Sequence, residues 1–177
     1  MPASEAACVV VVCGVCGSGK TTVGTAAARL LGARFVDADT LHPACNVRKM
    51  ASGQPLNDAD RAPWLSAVGA ALAAGGAGGV VVACSALKRA YRDTLRAAAP
   101  AAVFALLDGP RELLEARLAA RTNHYMPAAL LASQLAALEP LGSDEAAAVF
   151  DFSGSAEAVA EAVAAFSRSR CGRDERR

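Results

Sequence analysis

Aromatic side chains are scarce in this chain: one Trp, two Tyr and five Phe among 177 residues. That is too few rings for the stacking track of a single-stranded nucleic-acid binder. A formal net charge of +1 gives no long-range pull toward nucleic acid or an anionic membrane, so any positive charge that matters must be local to a cleft. The first apolar run is too short to span a bilayer and has no Lys or Arg before it, which argues against a signal peptide or a membrane helix. The final Asp-Glu-Arg-Arg is no recognised peroxisomal or retention address, and a cytoplasmic protein is expected. A second cysteine pair is missing as well. Cys13 and Cys16 form a C-x-x-C, but Cys8, Cys45, Cys84 and Cys171 are scattered. All six are therefore read as free thiols rather than zinc ligands, with an oxidation-sensitive loop as the lesser reading.

What is present is a 54% apolar, alanine-heavy chain with 20% charged residues, long enough to bury a core without staples. Apolar runs and helical stretches alternate five times. Strands are expected at Val9–Val12, Phe35–Val36, Val80–Cys84, Val103–Leu107 and Val149–Phe152. Helices are expected at Thr22–Leu31, from the Asn57/Asp58/Asp60 caps through Leu72, at Lys88–Ala99, Arg111–Ala120, up to Leu138, and at Ala156–Phe166. Thr40–Asn57 reads as a polar loop and the tail from Ser167 as frayed. The pattern is that of one three-layer α/β/α domain over residues 1–177 around a parallel sheet.

Gly14 to Thr21 reads Gly-Val-Cys-Gly-Ser-Gly-Lys-Thr, matching G-x-x-x-x-G-K-[ST] directly after an apolar strand and before a helix. Its glycines let backbone N–H groups converge on phosphate oxygens, and the helix adds the positive end of its dipole. Gly14, Cys16, Gly17, Ser18, Gly19, Lys20, Thr21 and Thr22 are the candidate nucleotide contacts. Lys20 reaches the β- and γ-phosphates, and the Thr21 hydroxyl takes a place on Mg²⁺. The second strand ends in Asp37-Ala-Asp39, two carboxylates at the edge where open α/β sheets place ligands. An N-cap plus an exposed turn carboxylate is the other reading of that pair. Trp64 is read as a packing anchor in preference to a base-stacking platform.

Together these stretches resemble the small gluconokinases of the nucleoside-monophosphate-kinase-like P-loop group over residues 8 to about 152. The resemblance rests on the phosphate loop, on Asp37-Ala-Asp39-Thr-Leu-His42-Pro, and on the long block from Asn46-Val-Arg48-Lys49 to Asp60-Arg61-Ala-Pro-Trp64. It rests also on Ser85-Ala-Leu-Lys88-Arg89-Ala-Tyr91-Arg92 and His124-Tyr-Met-Pro127. It implies a five-stranded sheet in the order 2-3-1-4-5, ATP and Mg²⁺ as cofactors, gluconate as the small-molecule acceptor, a homodimer, and a lid at about 117–130. Asp39 would orient or accept the proton of the attacking hydroxyl, and Asp37 would hold the metal through waters, a division that could be exchanged. His42, Arg48, Lys49, Ser85, Arg89, Arg92 and His124 are the acceptor candidates, Arg48 and Arg89 foremost. His124 is assigned either to substrate or to orienting the lid, and Arg117 and Arg121 flank it, placed to cover the transferring phosphoryl group. Ala38 and Asn123 stand where the family usually has glycine and Tyr125 where it has phenylalanine; Asn123 is expected to stiffen or retilt the lid.

Two rivals remain. Another kinase of this architecture would act on shikimate or a nucleoside monophosphate. A GTPase-like switch is opposed by the absence of an Asn-Lys-x-Asp signature and of an aspartate after the strand ending at Cys84. Asp108 imitates a Walker B ending but is read as a helix N-cap.

Overall fold

Five short apolar runs hydrogen-bond side by side, all parallel, in the order β2-β3-β1-β4-β5. They are β1 (Val9–Cys13), β2 (Arg34–Asp37), β3 (Val80–Ala83), β4 (Val103–Asp108) and β5 (Ala147–Asp151). The helices are α1 (Lys20–Leu31), α2 (Ala44–Ala51), α3 (Asp58–Ala73), α4 (Arg89–Ala98), α5 (Arg111–Ala119), α6 (Ala128–Ala137) and α7 (Ala156–Asp174). This computed structural model describes residues 7–120 and 128–174, with backbone alone at 128, 129 and 172–174. Among the described residues no helix is long and apolar enough to cross a membrane.

The sheet is buried on both faces, and strand pleating divides its side chains between two cores. Val10, Val12, Val81, Ala105 and Leu107 pack with Val23, Ala27 and Ala28 of α1 and Val159, Ala160 and Val163 of α7. Val11, Cys13, Val80, Val82, Phe104 and Leu106 face Trp64, Leu65, Val68 and Leu72 of α3 and Tyr91 and Leu95 of α4. Because every strand runs the same way, the five carboxyl ends share one edge. The phosphate loop, the Ala38–Leu41 turn and the Cys84–Lys88 turn all leave from it.

Four local expectations change. The polar stretch after β2 is not a loop throughout: it makes a 3-10 turn over Ala38–Leu41 and then α2, whose Asn46 is buried and donates to the Asp60 carbonyl at 2.7 Å. Asn57 is the cap of α3, in a reciprocal capping box with Asp60 at 2.8 Å each way. That start puts Pro63 beyond the first turn of α3. The segment from Ser167 continues α7 to Asp174. Two of its polar residues are occupied: Ser167 is buried with its hydroxyl on the Val163 carbonyl, and Arg168 reaches back to the Leu30 carbonyl of α1. Asp108 does not cap α5. Pro110 stands at the N-cap, and the Asp108 carboxylate accepts from the Gly109 amide at 2.9 Å.

Candidate active site

The phosphate loop is a cradle that only glycine permits at its entrance. Gly14 has φ 139°, and a Cβ there would lie 2.6 Å from the Leu107 carbonyl oxygen and 3.0 Å from Ser18 Oγ. Gly19, left-handed at φ 93°, turns the chain into α1. Inside this cradle sits an unsatisfied group: Ser18 is 1% exposed, and its hydroxyl has no hydrogen-bond partner among the described residues. A buried hydroxyl left unpaired costs roughly 1–3 kcal/mol. A loop of N–H groups with an orphan hydroxyl fits a phosphate, whose oxygens accept from both.

Lys20 leaves the first turn of α1 and folds back so that Nζ donates to the Val15 carbonyl at 2.9 Å. Burial lowers its pKa, and the nearby Asp39 carboxylate opposes that shift. One residue on, the Thr21 hydroxyl donates to Asp37 Oδ2 at 3.1 Å. The other Asp37 oxygen accepts from the Asp39 amide at 3.1 Å, which fixes the start of the 3-10 turn. The two predicted metal residues therefore meet, with Asp39 exposed beside them. A hydroxyl and a carboxylate suit Mg²⁺, which keeps waters and substrate phosphate oxygens for the rest of its shell. No cluster of three or more His, Cys, Asp or Glu capable of holding a metal by itself occurs among the described residues. Thr22 is exposed at the same helix start.

The other bank of the cleft is built on Trp64. Its indole N–H donates to the Ala38 carbonyl at 2.7 Å, so the packing anchor also tethers the turn that carries Asp39. His42 stacks on it, with ring centroids 4.5 Å apart and planes 10° from parallel. Burial pulls the His42 pKa below its ordinary value against the attraction of Asp39. His42 Nδ1 lies 3.4 Å from Asn46 Nδ2.

The predicted basic residues divide sharply. Arg48 is exposed, and its guanidinium makes no hydrogen bond or ion pair among the described residues. Lys49 is committed to Asp60 at 2.5 Å. Ser85 is half-buried at the strand edge, its carbonyl holding the Gly14 amide at 3.2 Å. Arg89 pairs with Asp144, at 2.6 and 2.9 Å, and with Asp93, at 2.8 Å. Arg92 is buried on Glu145. Both guanidiniums meet the Glu139–Glu145 segment, because α4 presents that face to it. Both acceptor candidates are thus engaged by carboxylates in this structure.

Arg117 lies against the phosphate loop: Nη1 contacts the Gly17 carbonyl at 3.5 Å, Nη2 donates to the Phe152 carbonyl at 2.9 Å, and the guanidinium stacks on the Phe152 ring at 5.1 Å. Arg121 and His124, and residues 121–127 of the expected lid, lie outside the described residues. Cys13, Cys45, Cys84 and Cys171 are free thiols. Burial pushes the Cys13 and Cys84 thiols up to about 12, so neither is a ready nucleophile.

Three neighbouring residues carried no assigned role in the sequence. Arg61 is half-buried with only long contacts, 3.4 Å to the Tyr91 hydroxyl and 3.7 Å to Asp58, leaving its guanidinium available. Tyr91 donates to Asp58 at 2.5 Å, beneath Lys88. Gln134 of α6 accepts the phosphate-loop amide of Cys16 at 2.7 Å. Arg61 at least was signalled by its place three residues before Trp64.

The AAA domain family model matches residues 9–141. The thermosensitive gluconokinase of Escherichia coli strain K12 is 49% identical over 135 residues, covering 75% of this chain and 72% of that one. The gluconokinase of Gluconobacter oxydans is 50% identical over 139 residues, covering 76% of this chain and 77% of its own length. The crystal structure of a gluconokinase from Sinorhizobium meliloti superposes with a TM-score of 0.79 at 40% identity, covering 96% of this chain and 93% of that one.

Proposed function

As this chain belongs to the gluconokinase family, we propose that it transfers the γ-phosphoryl group of ATP to D-gluconate, giving 6-phospho-D-gluconate and ADP. The observation that carries the reading is the junction of Thr21 with Asp37 at 3.1 Å, which brings the phosphate loop and the acidic end of β2 into one site.

The chemistry demands positioning and charge neutralisation more than covalent participation. The loop amides and the Ser18 hydroxyl hold the phosphates. Lys20 exchanges its bond to the Val15 carbonyl for the phosphoryl oxygens. Thr21 and Asp37 would hold Mg²⁺, which when bound would neutralise charge on the triphosphate. Asp39 orients the terminal hydroxyl of gluconate and takes its proton as the oxygen–phosphorus bond forms and the bond to ADP breaks. Arg117, already against Gly17, keeps the loop side of the donor site closed.

For the acceptor carboxylate, the available cations are Arg48 and Arg61. His42 offers a ring nitrogen to a hydroxyl, and Ser85 offers its side chain from the turn after β3. A cytoplasmic setting and a homodimer accompany this reading; light scattering on the purified chain tests the dimer. ADP release measured with gluconate, shikimate and AMP, with product mass determined, tests the acceptor. Gluconate alone is expected to give a product heavier by one phosphoryl group, and turnover of shikimate or AMP instead would overturn the assignment.

A further inference from the structure

Ala86 has φ 41°, which is the only positive φ at a non-glycine position among the described residues. Left-handed backbone in an alanine is strained and persists only where the surroundings hold it. It lies in the turn that carries Ser85 and Lys88 out of β3 toward the acceptor side of the cleft.

The holding group is Arg92. Its side chain is 1% exposed, and its guanidinium lies under the turn. Nη1 reaches the Ala86 carbonyl at 3.4 Å, the Leu87 carbonyl at 3.2 Å and the Glu139 carbonyl at 3.3 Å. Nη2 donates to the Pro140 carbonyl at 2.9 Å. Glu145, with no exposed side-chain surface, fixes the guanidinium through Nε at 2.7 Å and Nη2 at 3.1 Å. It also accepts the Gly142 amide at 2.7 Å. The turn is braced from the other side too, because the Gly14 amide of the phosphate loop donates to the Ser85 carbonyl and the Glu139 amide to the Leu87 carbonyl.

We propose that Arg92 is a positioning residue for the acceptor: anchored by Glu145, it clamps the strained Ser85–Lys88 turn and so sets where Ser85 faces gluconate. This rests on the acceptor assignment made above. A planar fork is suited to the task, since it gathers several carbonyls and a carboxylate in fixed directions, which a lysine ammonium does not reproduce.

The test is Arg92→Lys, alone and combined with Ala86→Gly, with Glu145→Gln as a milder variant that keeps the shape of the anchor should Arg92→Lys fold poorly. Steady-state kinetics on the wild type come first. Both single variants are expected to raise KM for gluconate by about tenfold while KM for ATP stays within about twofold, the size of effect seen when groups that orient a site are lost. Ala86→Gly is expected to return the gluconate KM of Arg92→Lys to within about threefold of wild type, because glycine adopts φ 41° without a clamp. Amide exchange at residues 85–88 should accelerate in both single variants. A purely structural role would lower thermal stability and leave gluconate KM and the glycine rescue unchanged; that outcome, or equal rises in both KM values, overturns the proposal. If the wild type does not phosphorylate gluconate, the acceptor assignment falls and takes the proposal with it, a result separable from the first because it is read before any variant is made.

Discussion

The Thr21 hydroxyl donates to Asp37 Oδ2 across 3.1 Å, joining the first turn of α1 to the last residue of β2. Asp37 spends its second oxygen on the Asp39 amide, so one carboxylate links the metal position to the residue proposed to meet the acceptor hydroxyl.

Asp37→Asn therefore affects the metal before it affects either substrate. Its apparent affinity for Mg²⁺ in the ATPase and kinase assays should fall by about 10- to 100-fold, as for lost partners of a metal shell, and saturating Mg²⁺ should restore most of kcat. A Mg²⁺ titration at fixed ATP and gluconate reads this directly.

Asp39→Asn should act differently. Its amide cannot take a proton, so kcat should fall by about 100-fold or more at any Mg²⁺ concentration, with ADP binding by calorimetry unchanged. A loss confined to Mg²⁺ affinity would mean that the two aspartates exchange roles.

Gly14→Ala places a Cβ 2.6 Å from the Leu107 carbonyl oxygen at φ 139°. Both the contact and the conformation oppose it, so the cradle should distort, ADP binding should be lost, and the melting temperature should fall by an amount corresponding to about 1–3 kcal/mol. Calorimetry with ADP and a thermal melt check the two effects separately.

Acid should lower the stability of the protein in two stages. His42 has a folded pKa depressed by burial from 6.5, so its contribution to stability is present above 6.5 and lost as pH falls through the lower folded value. Asp144 follows the same sign: hydrogen bonds from Arg89 hold it down to about 2 from 3.8, and its contribution disappears only as pH falls from 3.8 toward 2. Asp58, lowered chiefly by the Tyr91 hydroxyl, and Asp60, lowered chiefly by Lys49, join this second stage. Thermal melts from about pH 8 to 2 should show both, with His42→Gln abolishing the stage just below 6.5 and sparing the lower one.

Much of this was legible in the residues. The phosphate loop has fixed glycine positions because backbone N–H groups must converge, and the structure puts Gly14 and Gly19 in conformations that other residues avoid. The sheet order, in contrast, came from the family resemblance, since strand spacing is compatible with several orders; pairing of β1 between β3 and β4 agrees with it. α2 was hidden because its eight residues include polar ones, such as Asn46 and Lys49, whose partners lie on α3. The carboxylate partners of Arg89 and Arg92 were not legible, because a basic residue looks the same in sequence whether it faces a substrate or a carboxylate, and Glu145 lies 53 positions from Arg92. Gln134 gave no signal, since its partner is the backbone amide of Cys16, 118 positions away.

The most direct measurement is a crystal structure with Mg²⁺, a non-hydrolysable ATP analogue and gluconate bound together. Our account predicts that the metal lies between Thr21 and Asp37 and that the Asp39 carboxylate is within about 3.2 Å of the terminal gluconate hydroxyl, in line with the γ-phosphorus. A gluconate bound away from Asp39, with that carboxylate more than about 10 Å from the γ-phosphorus in the closed complex, would contradict it.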